Sequence, residues 1–171
     1  MLFFSFLSAV LLHECGHLVG LILVRARIVS YRLSFFGITM VHTPLFSPLA
    51  ALTVASLGPI FSLVGFFASH YSSSLQIFSL ISLILALFNL LPIASLDGEQ
   101  ILRAALNFFL YPSETEQVSR LISHLTLFSL WAVGSYIFFA LDQSPSLFLL
   151  SLTLFLQSVR TGGRQKPSKK S

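Results

Sequence analysis

Apolar residues occur along this chain in five long runs that short polar segments separate. The runs cover about 1–24, 48–69, 75–95, 121–141 and 146–159. A membrane-spanning helix needs roughly 20 apolar residues, so the first four runs are long enough to span. The fifth is short, and it either crosses the bilayer or lies in its interface. The pattern predicts an all-α membrane protein, a polytopic helical bundle of about five hydrophobic segments.

The segment between the first two runs has a period of two instead. Apolar residues from Val29 to Phe35 alternate with Ser30, Arg32 and Ser34, which is typical of a β-strand. A turn at Phe36-Gly37 would return the chain as a second strand over 38–42, forming a short β-hairpin. This hairpin is either an ordinary interfacial element or an edge to which an extended substrate segment adds as a further strand.

Composition extends the membrane interpretation to the whole chain. Hydrophobic residues make up 55% and charged residues 9% of the sequence, and the mean hydropathy is +0.87. These values lie well outside those of soluble domains. We expect a single integral membrane domain over 1–159, with its core in 2–106, and a basic, disordered tail over 160–171. The single cysteine excludes an internal disulfide and a cysteine-rich zinc finger.

The basic residues predict an orientation. Arg25, Arg27 and Arg32 follow the first run, so the positive-inside rule makes that end cytoplasmic and the N-terminus external. Five crossings from there bring all ten Lys and Arg residues, and the C-terminus, to the cytoplasmic side. The net charge of +4 reflects this rule and contact with anionic lipid. The expected partner is therefore the bilayer of the cell membrane, not nucleic acid.

The first apolar run contains the sequence H-E-x-x-H, from His13 to His17. A charged side chain near the centre of a spanning helix costs about 2.5–3.5 kcal/mol on insertion scales, so ionisable groups there indicate function. Two histidines four residues apart lie on one face of a helix, where both reach one zinc ion. Glu14 is then placed to act on a zinc-bound water.

Catalytic zinc usually takes a third protein ligand, and the segment from Asn89 to Gly98 offers Asp97. Pro92 breaks the helix, and Gly98 permits a tight approach that turns Asp97 back toward the bundle. Glu99 lies two residues away and is an alternative ligand. The loop histidines His42 and His70, and His124 near the start of a run, are not expected to bind metal.

The segment after Asp97 has its own pattern. Residues 99–110 place apolar side chains on one face, which predicts an amphipathic helix in the interface, ended by Pro112. Ser113 and Glu116 then form a capping-box signal for the helix that leads into the fourth run.

These motifs resemble the site-2 protease family of intramembrane zinc metalloproteases. H-E-x-x-H matches the motif of the family's first core helix, and residues 57–60 (Leu-Gly-Pro-Ile) resemble its glycine-proline signature. Its N-x-x-P-x-x-x-x-D-G motif is matched by Asn89, Pro92, Asp97 and Gly98. Two positions depart from the family pattern: Ser62 stands where asparagine is common, and Glu99-Gln100 follow Asp-Gly. The chain is most similar to the compact type, which includes the stage IV sporulation protease.

The resemblance implies an endopeptidase that cuts a membrane-associated protein in or near its membrane segment. By that resemblance His13, His17 and Asp97 bind one zinc ion per chain, Glu14 is the general base, and Asn89, Pro92 and Gly98 position the substrate. It also implies an active site toward the cytoplasmic side, a regulatory precursor such as a sigma factor as substrate, and regulatory membrane proteins as partners. The alternatives are a non-catalytic metal-binding membrane protein (a transporter or a client-binding scaffold) and a zinc enzyme that acts on lipid.

Overall fold

The computed structural model of the chain describes residues 2–34, 37–42, 47–94, 96–140, 149 and 152–153. Within these residues, the predicted helical bundle is confirmed. The elements in chain order are α1 (Leu2–Leu23), β1 (Ile28–Ser34), β2 (Gly37–His42), α2 (Pro48–Ser69), a 3-10 turn (Ser73–Leu75), α3 (Gln76–Asn89), α4 (Asp97–Leu106) and α5 (Pro112–Ala140). The predicted turn at Phe36, most of the fifth apolar run and the tail over 160–171 lie outside the described residues.

Among the described residues, two helices have the length and composition of membrane spans. α1 and α2 each contain 22 residues, or about 33 Å at about 1.5 Å per residue, which matches a hydrocarbon core of about 30 Å. α3 is apolar but only 14 residues long, about 21 Å. It ends at Asn89, before Pro92, so the helix is shorter than the apolar run over 75–95 from which a span is predicted.

The centre of the bundle is α2, which packs against α1, α3 and α4. Small residues on the buried faces permit close approach of the backbones, as is common between membrane helices. Where α1 meets α2, a Cβ added to Gly16 would overlap the carbonyl oxygen of Leu57. The small residues that are buried in these helices are Ala9, Gly16 and Gly20 in α1, Ala55, Gly58, Ser62, Gly65 and Ser69 in α2, and Ser79, Ser82 and Ala86 in α3.

Large apolar side chains cover the outside of the bundle. Phe3 and Phe4 near the start of α1, Ile22 near its end and Phe67 in α2 are each at least 65% exposed. Exposed apolar surface of this extent requires a nonaqueous environment or a partner. With serines inside and phenylalanines outside, the bundle has the polarity expected of helices in lipid.

The segment between α1 and α2 begins with a tight helix end. Arg25 has φ 55, and the N–H of Ala26 donates to the carbonyl of Leu21 while that of Arg25 donates to Ile22. This is a Schellman motif with arginine in the left-handed position that glycine usually occupies. β1 follows and pairs antiparallel with β2, with Ser34 opposite Gly37 and an irregularity between Ile28 and Ser30.

The structure corrects the predicted bounds of the helices around residue 110. α4 begins at Asp97 and ends at Leu106, so Pro112 does not end it. Pro112 is instead the first residue of α5, the helical position that proline tolerates best. The predicted capping box is shifted by two residues, because the backbone N–H of Tyr111 donates to Oε2 of Glu114 at 3.1 Å. Glu114 thus closes the first turn, the role predicted for Glu116.

Candidate metal centre

Two histidine rings from α1 face the centre of the bundle. His13 is buried at 4% exposure, and His17, one helical turn later, is half-buried. Their Nε2 atoms lie 3.2 Å apart. Adjacent turns of one helix therefore bring two imidazole nitrogens to a single point beside α2.

Asp97 arrives at the same point from the start of α4. Its Oδ2 lies 3.0 Å from Nε2 of His13 and 3.3 Å from Nε2 of His17. The positive end of the α4 dipole favours the carboxylate form of Asp97, which is the form that binds metal.

The local backbone explains how Asp97 reaches the histidines. After α3, the N–H of Ile93 donates to Leu91, and that of Leu96 donates to Ile93, so the chain turns tightly instead of continuing as a helix. Leu96 is extended, and Asp97 opens the new helix. A Cβ on Gly98 would overlap the backbone of Leu90. Only glycine lets the first turn of α4 pack this closely against the end of α3.

The other nitrogen of each ring contacts α2. Nδ1 of His17 lies 2.9 Å from the carbonyl oxygen of Val54, and Nδ1 of His13 lies 2.9 Å from Oγ of Ser62. A carbonyl only accepts, so Nδ1 of His17 carries the hydrogen, and Nε2 of the neutral ring is a bare acceptor. Metal-binding histidines almost always donate their second ring N–H in this way.

The donor set fits one tetrahedral zinc ion. With zinc–ligand bonds of about 2.0–2.1 Å, tetrahedral geometry separates neighbouring ligand atoms by about 3.3 Å. The three contacts among Nε2 of His13, Nε2 of His17 and Oδ2 of Asp97 are 3.2, 3.0 and 3.3 Å. Bare acceptors at this spacing repel one another unless a cation or a proton lies between them. Three protein ligands would also leave the fourth coordination position of the metal for water or substrate.

Glu14 is half-buried on α1 between the two histidines in sequence. It is near enough to interact electrostatically with His17, His13 and Asp97. A carboxylate at that position is suited to exchange a proton with a water in the open coordination position.

Glu99, the alternative third ligand, points away from the histidines. Its Oε1 accepts a hydrogen bond from Oγ of Ser119 at 3.1 Å and forms an ion pair with Arg103 at 3.2 Å. Among the described residues, the His, Cys, Asp and Glu side chains that are grouped closely enough to share a metal are His13, His17 and Asp97.

The remaining sequence candidates lie around the cluster or away from it. Asn89, at the end of α3, donates from its side chain to the carbonyl of Leu85 at 3.0 Å, and Pro92 is half-buried in the following turn. His70 is exposed at the end of α2. His124 is exposed on α5, with Nδ1 against the carbonyl of Arg120.

Three residues of α2 that contact the histidines are not identified from the sequence as site residues. They are Val54, Gly58 and Ser62, spaced by four residues on one face of the helix. A Cβ on Gly58 would overlap Nε2 of His17, so glycine makes room for the ring. The glycine-proline pair and the departure at Ser62 are visible in the sequence, but neither reveals a contact with α1.

Comparison with known proteins identifies a family and a similar fold. Residues 43–133 match Peptidase family M50, an interval that holds Asp97 and the three α2 residues but begins after H-E-x-x-H. No curated protein sequence matches the chain. Among solved structures, the fold is similar to that of a Site-2 Protease from Methanocaldococcus jannaschii, with a TM-score of 0.72 and 23% identity over 99% of this chain and 81% of that chain.

The family match covers more than half of the chain, so this protein belongs to peptidase family M50, a family of zinc metalloproteases. The resemblance to the site-2 protease family is thereby confirmed, and the chain is a membrane metalloendopeptidase. The assignment of individual residues to ligand, base and substrate-positioning roles stays a prediction.

Proposed function

We propose that this chain is an intramembrane zinc endopeptidase in which His13, His17 and Asp97 hold one zinc ion and Glu14 is the general base. The observation that carries the proposal is the convergence of three acceptor atoms, 3.0–3.3 Å apart, among apolar helices. Such an arrangement is costly unless a cation or a shared proton lies between the atoms. Two imidazole nitrogens and one carboxylate oxygen on three corners of a tetrahedron are a typical ligand set of catalytic zinc, which favours the cation.

In the proposed reaction, bound zinc supplies Lewis acidity that activates water and polarises the scissile carbonyl. Glu14 accepts the proton of the attacking water and later donates it to the leaving amine. The Val54 carbonyl accepts from Nδ1 of His17 and so holds that imidazole in the tautomer that leaves Nε2 free. The apolar helices around the site limit the entry of further water.

The substrate we propose is an extended segment of a membrane-associated protein, for example a regulatory precursor such as a sigma factor. A helical segment must unwind before its amide becomes accessible. Within the described residues the β1–β2 sheet has two strands, so each has an outer edge to which a substrate strand could add. Asn89, Pro92 and Gly98 are proposed to shape the cleft beside the metal rather than to bind zinc. A role in sporulation and control by other membrane proteins belong to the same proposal.

The proposed topology has five membrane segments within one domain over 1–159, an external N-terminus and a cytoplasmic tail over 160–171. His17 lies six residues from the end of α1 at Leu23 and fifteen from its start at Leu2, or about 9 Å and about 22 Å along the helix. The metal site would then lie nearer the cytoplasmic side.

Zinc content in four forms of the detergent-purified protein tests the assignment. We expect about one zinc per chain in wild type, Glu14→Gln and Glu99→Ala, and little in Asp97→Ala. Glu99→Ala is the matched control, because its carboxylate lies two residues from Asp97 and binds Ser119 and Arg103 instead. Zinc retained in Asp97→Ala but lost in Glu99→Ala would contradict the assigned ligand.

Cleavage separates the enzyme from a non-catalytic metal-binding protein. A single-span reporter with a Gly-Pro pair in its span serves as substrate in detergent. Glu14→Gln should keep zinc and lose cleavage by at least about 100-fold, the usual contribution of a general base. A zinc-loaded Glu14→Gln that cuts the reporter as fast as wild type would refute the role of Glu14.

A further inference from the structure

The side-chain hydroxyl of Ser62 in α2 contacts His13 of the metal cluster. Its Oγ lies 2.9 Å from Nδ1 of His13, across 49 positions of sequence. Ser62 is 0% exposed and His13 is 4% exposed. The contact between the hydroxyl and the ring is therefore shielded from solvent.

The two histidines are held by partners of different kinds. His17 donates to the backbone carbonyl of Val54, which no side-chain substitution at that position removes. His13 depends on the hydroxyl of Ser62, which one substitution does remove. An imidazole that binds metal through Nε2 keeps its hydrogen on Nδ1, and a buried N–H without an acceptor is costly.

Two other buried serines, one in α2 and one in α3, have no contact with the histidines. Ser69, two turns further along α2, donates to the carbonyl of Gly65 in its own helix at 2.6 Å. Ser82 of α3 has no partner within hydrogen-bond distance. Both fit a packing role between small-residue faces, whereas Ser62 bonds across helices to a ring that faces the metal position.

We infer that Ser62 is a positioning residue: its hydroxyl fixes the tautomer and orientation of His13 and thereby sets the affinity of the site for zinc. The inference rests on the zinc site of the proposed function. Ser62 stands where asparagine is common in the family, and here the serine side chain contacts His13, an assigned metal ligand.

The test is the zinc dissociation constant of the detergent-solubilised full chain, measured by competition with a chromophoric chelator. Ser62→Ala should weaken zinc binding about 10–100-fold, the usual effect of removing such a partner. The matched control is Ser69→Ala, the same substitution at a buried serine of the same helix face. It should stay within about twofold of wild type.

A second pair of variants separates the effect of the Ser62 hydroxyl from the effect of side-chain volume. Ser62→Thr and Ser62→Val add nearly the same volume, but only threonine keeps the oxygen. We expect Ser62→Thr to bind zinc at least about tenfold more tightly than Ser62→Val, the lower end of the effect of losing such a partner. Equal affinities in this pair, or a Ser62→Ala variant that binds zinc like wild type, would overturn the inference while leaving the zinc site intact. A wild type that binds no zinc would overturn both.

Discussion

The ring of His17 lies directly against the backbone of α2 at Gly58. An added Cβ there would overlap Nε2, the atom assigned to the metal. We expect Gly58→Ala to displace the ring and reduce bound zinc from about one per chain to a small fraction of that. Zinc content after gel filtration measures this directly.

Gly65→Ala provides the control for Gly58→Ala. Its Cβ would meet the terminal Cδ2 of Leu12, an atom that a change of rotamer moves away at small cost. Zinc content should therefore match wild type. If both variants lose zinc equally, close helix packing in general, and not room for the His17 ring, sets the requirement for glycine.

Some residues of the candidate site can be predicted from the sequence, and others cannot. The pairing of His13 with His17 follows from helical spacing, because a separation of four residues determines that two side chains share a face. Glu14 follows from the H-E-x-x-H motif. Asp97 follows from the proline and glycine around it together with the family motif. The contacts of Ser62 and Gly58 with the histidines depend on how α1 packs on α2, and no local pattern encodes that packing.

At the level of elements, α5 packs against the turn that leads into Asp97 at the start of α4. Leu127 of α5 is buried at 2% exposure against Ile93 and Leu96, and Leu96 directly precedes Asp97. Ser119 on the same helix binds Glu99. α5 therefore supports the first turn of α4 from the side opposite the histidines.

Leu127→Ala tests this support. Loss of a buried leucine should lower the free energy of unfolding by about 2–5 kcal/mol, through lost contacts and the cavity left behind. Equilibrium unfolding in mixed detergent micelles measures the change. Leu125→Ala is the control, because Leu125 is 57% exposed on the same helix and should change the value by less than about 0.5 kcal/mol. Equal losses in both variants would contradict the docking of α5 through Leu127.

The helix bounds predicted from the sequence near residue 110 were wrong because proline has two opposite meanings. Proline stops a preceding helix or starts a following one, and the sequence alone does not decide between these. Here the backbone N–H of Tyr111 has the Glu114 carboxylate within reach, so Pro112 starts α5. α4 had already ended at Leu106.

In the whole molecule, the 14-residue α3 is short beside α1 and α2, the two described helices that are long enough to cross a membrane. At about 21 Å it is shorter than the hydrocarbon core, yet Asp97 at the start of α4 meets His13 in the middle of α1. α3 therefore reaches the depth of the metal cluster, and the irregular segment between α3 and α4 continues from there. At membrane depth such backbone needs protein or a water-filled cavity around it, and Leu127 of α5 packs against it at Ile93 and Leu96.

The proposed orientation predicts different labelling on either side of this segment. In a Cys15→Ala background, which removes the single native cysteine, Ser74→Cys and Ser113→Cys introduce thiols at two exposed positions before and after α3. A membrane-impermeant maleimide added to intact cells should label Ser74→Cys and leave Ser113→Cys unlabelled until the membrane is permeabilised. This follows because the positive-inside rule keeps Arg103 and Arg120 cytoplasmic, and one crossing separates them from residue 74.

Each contrary result has a distinct physical meaning. Labelling of Ser113→Cys alone would reverse the orientation and put the basic residues outside. Labelling of both positions in intact cells would mean that α3 and the turn enter and leave on one side, as a re-entrant segment. In that case the chain after Asp97 would return to the outer surface, and the cytoplasmic access proposed for the metal site would be wrong even with the zinc ligands correct.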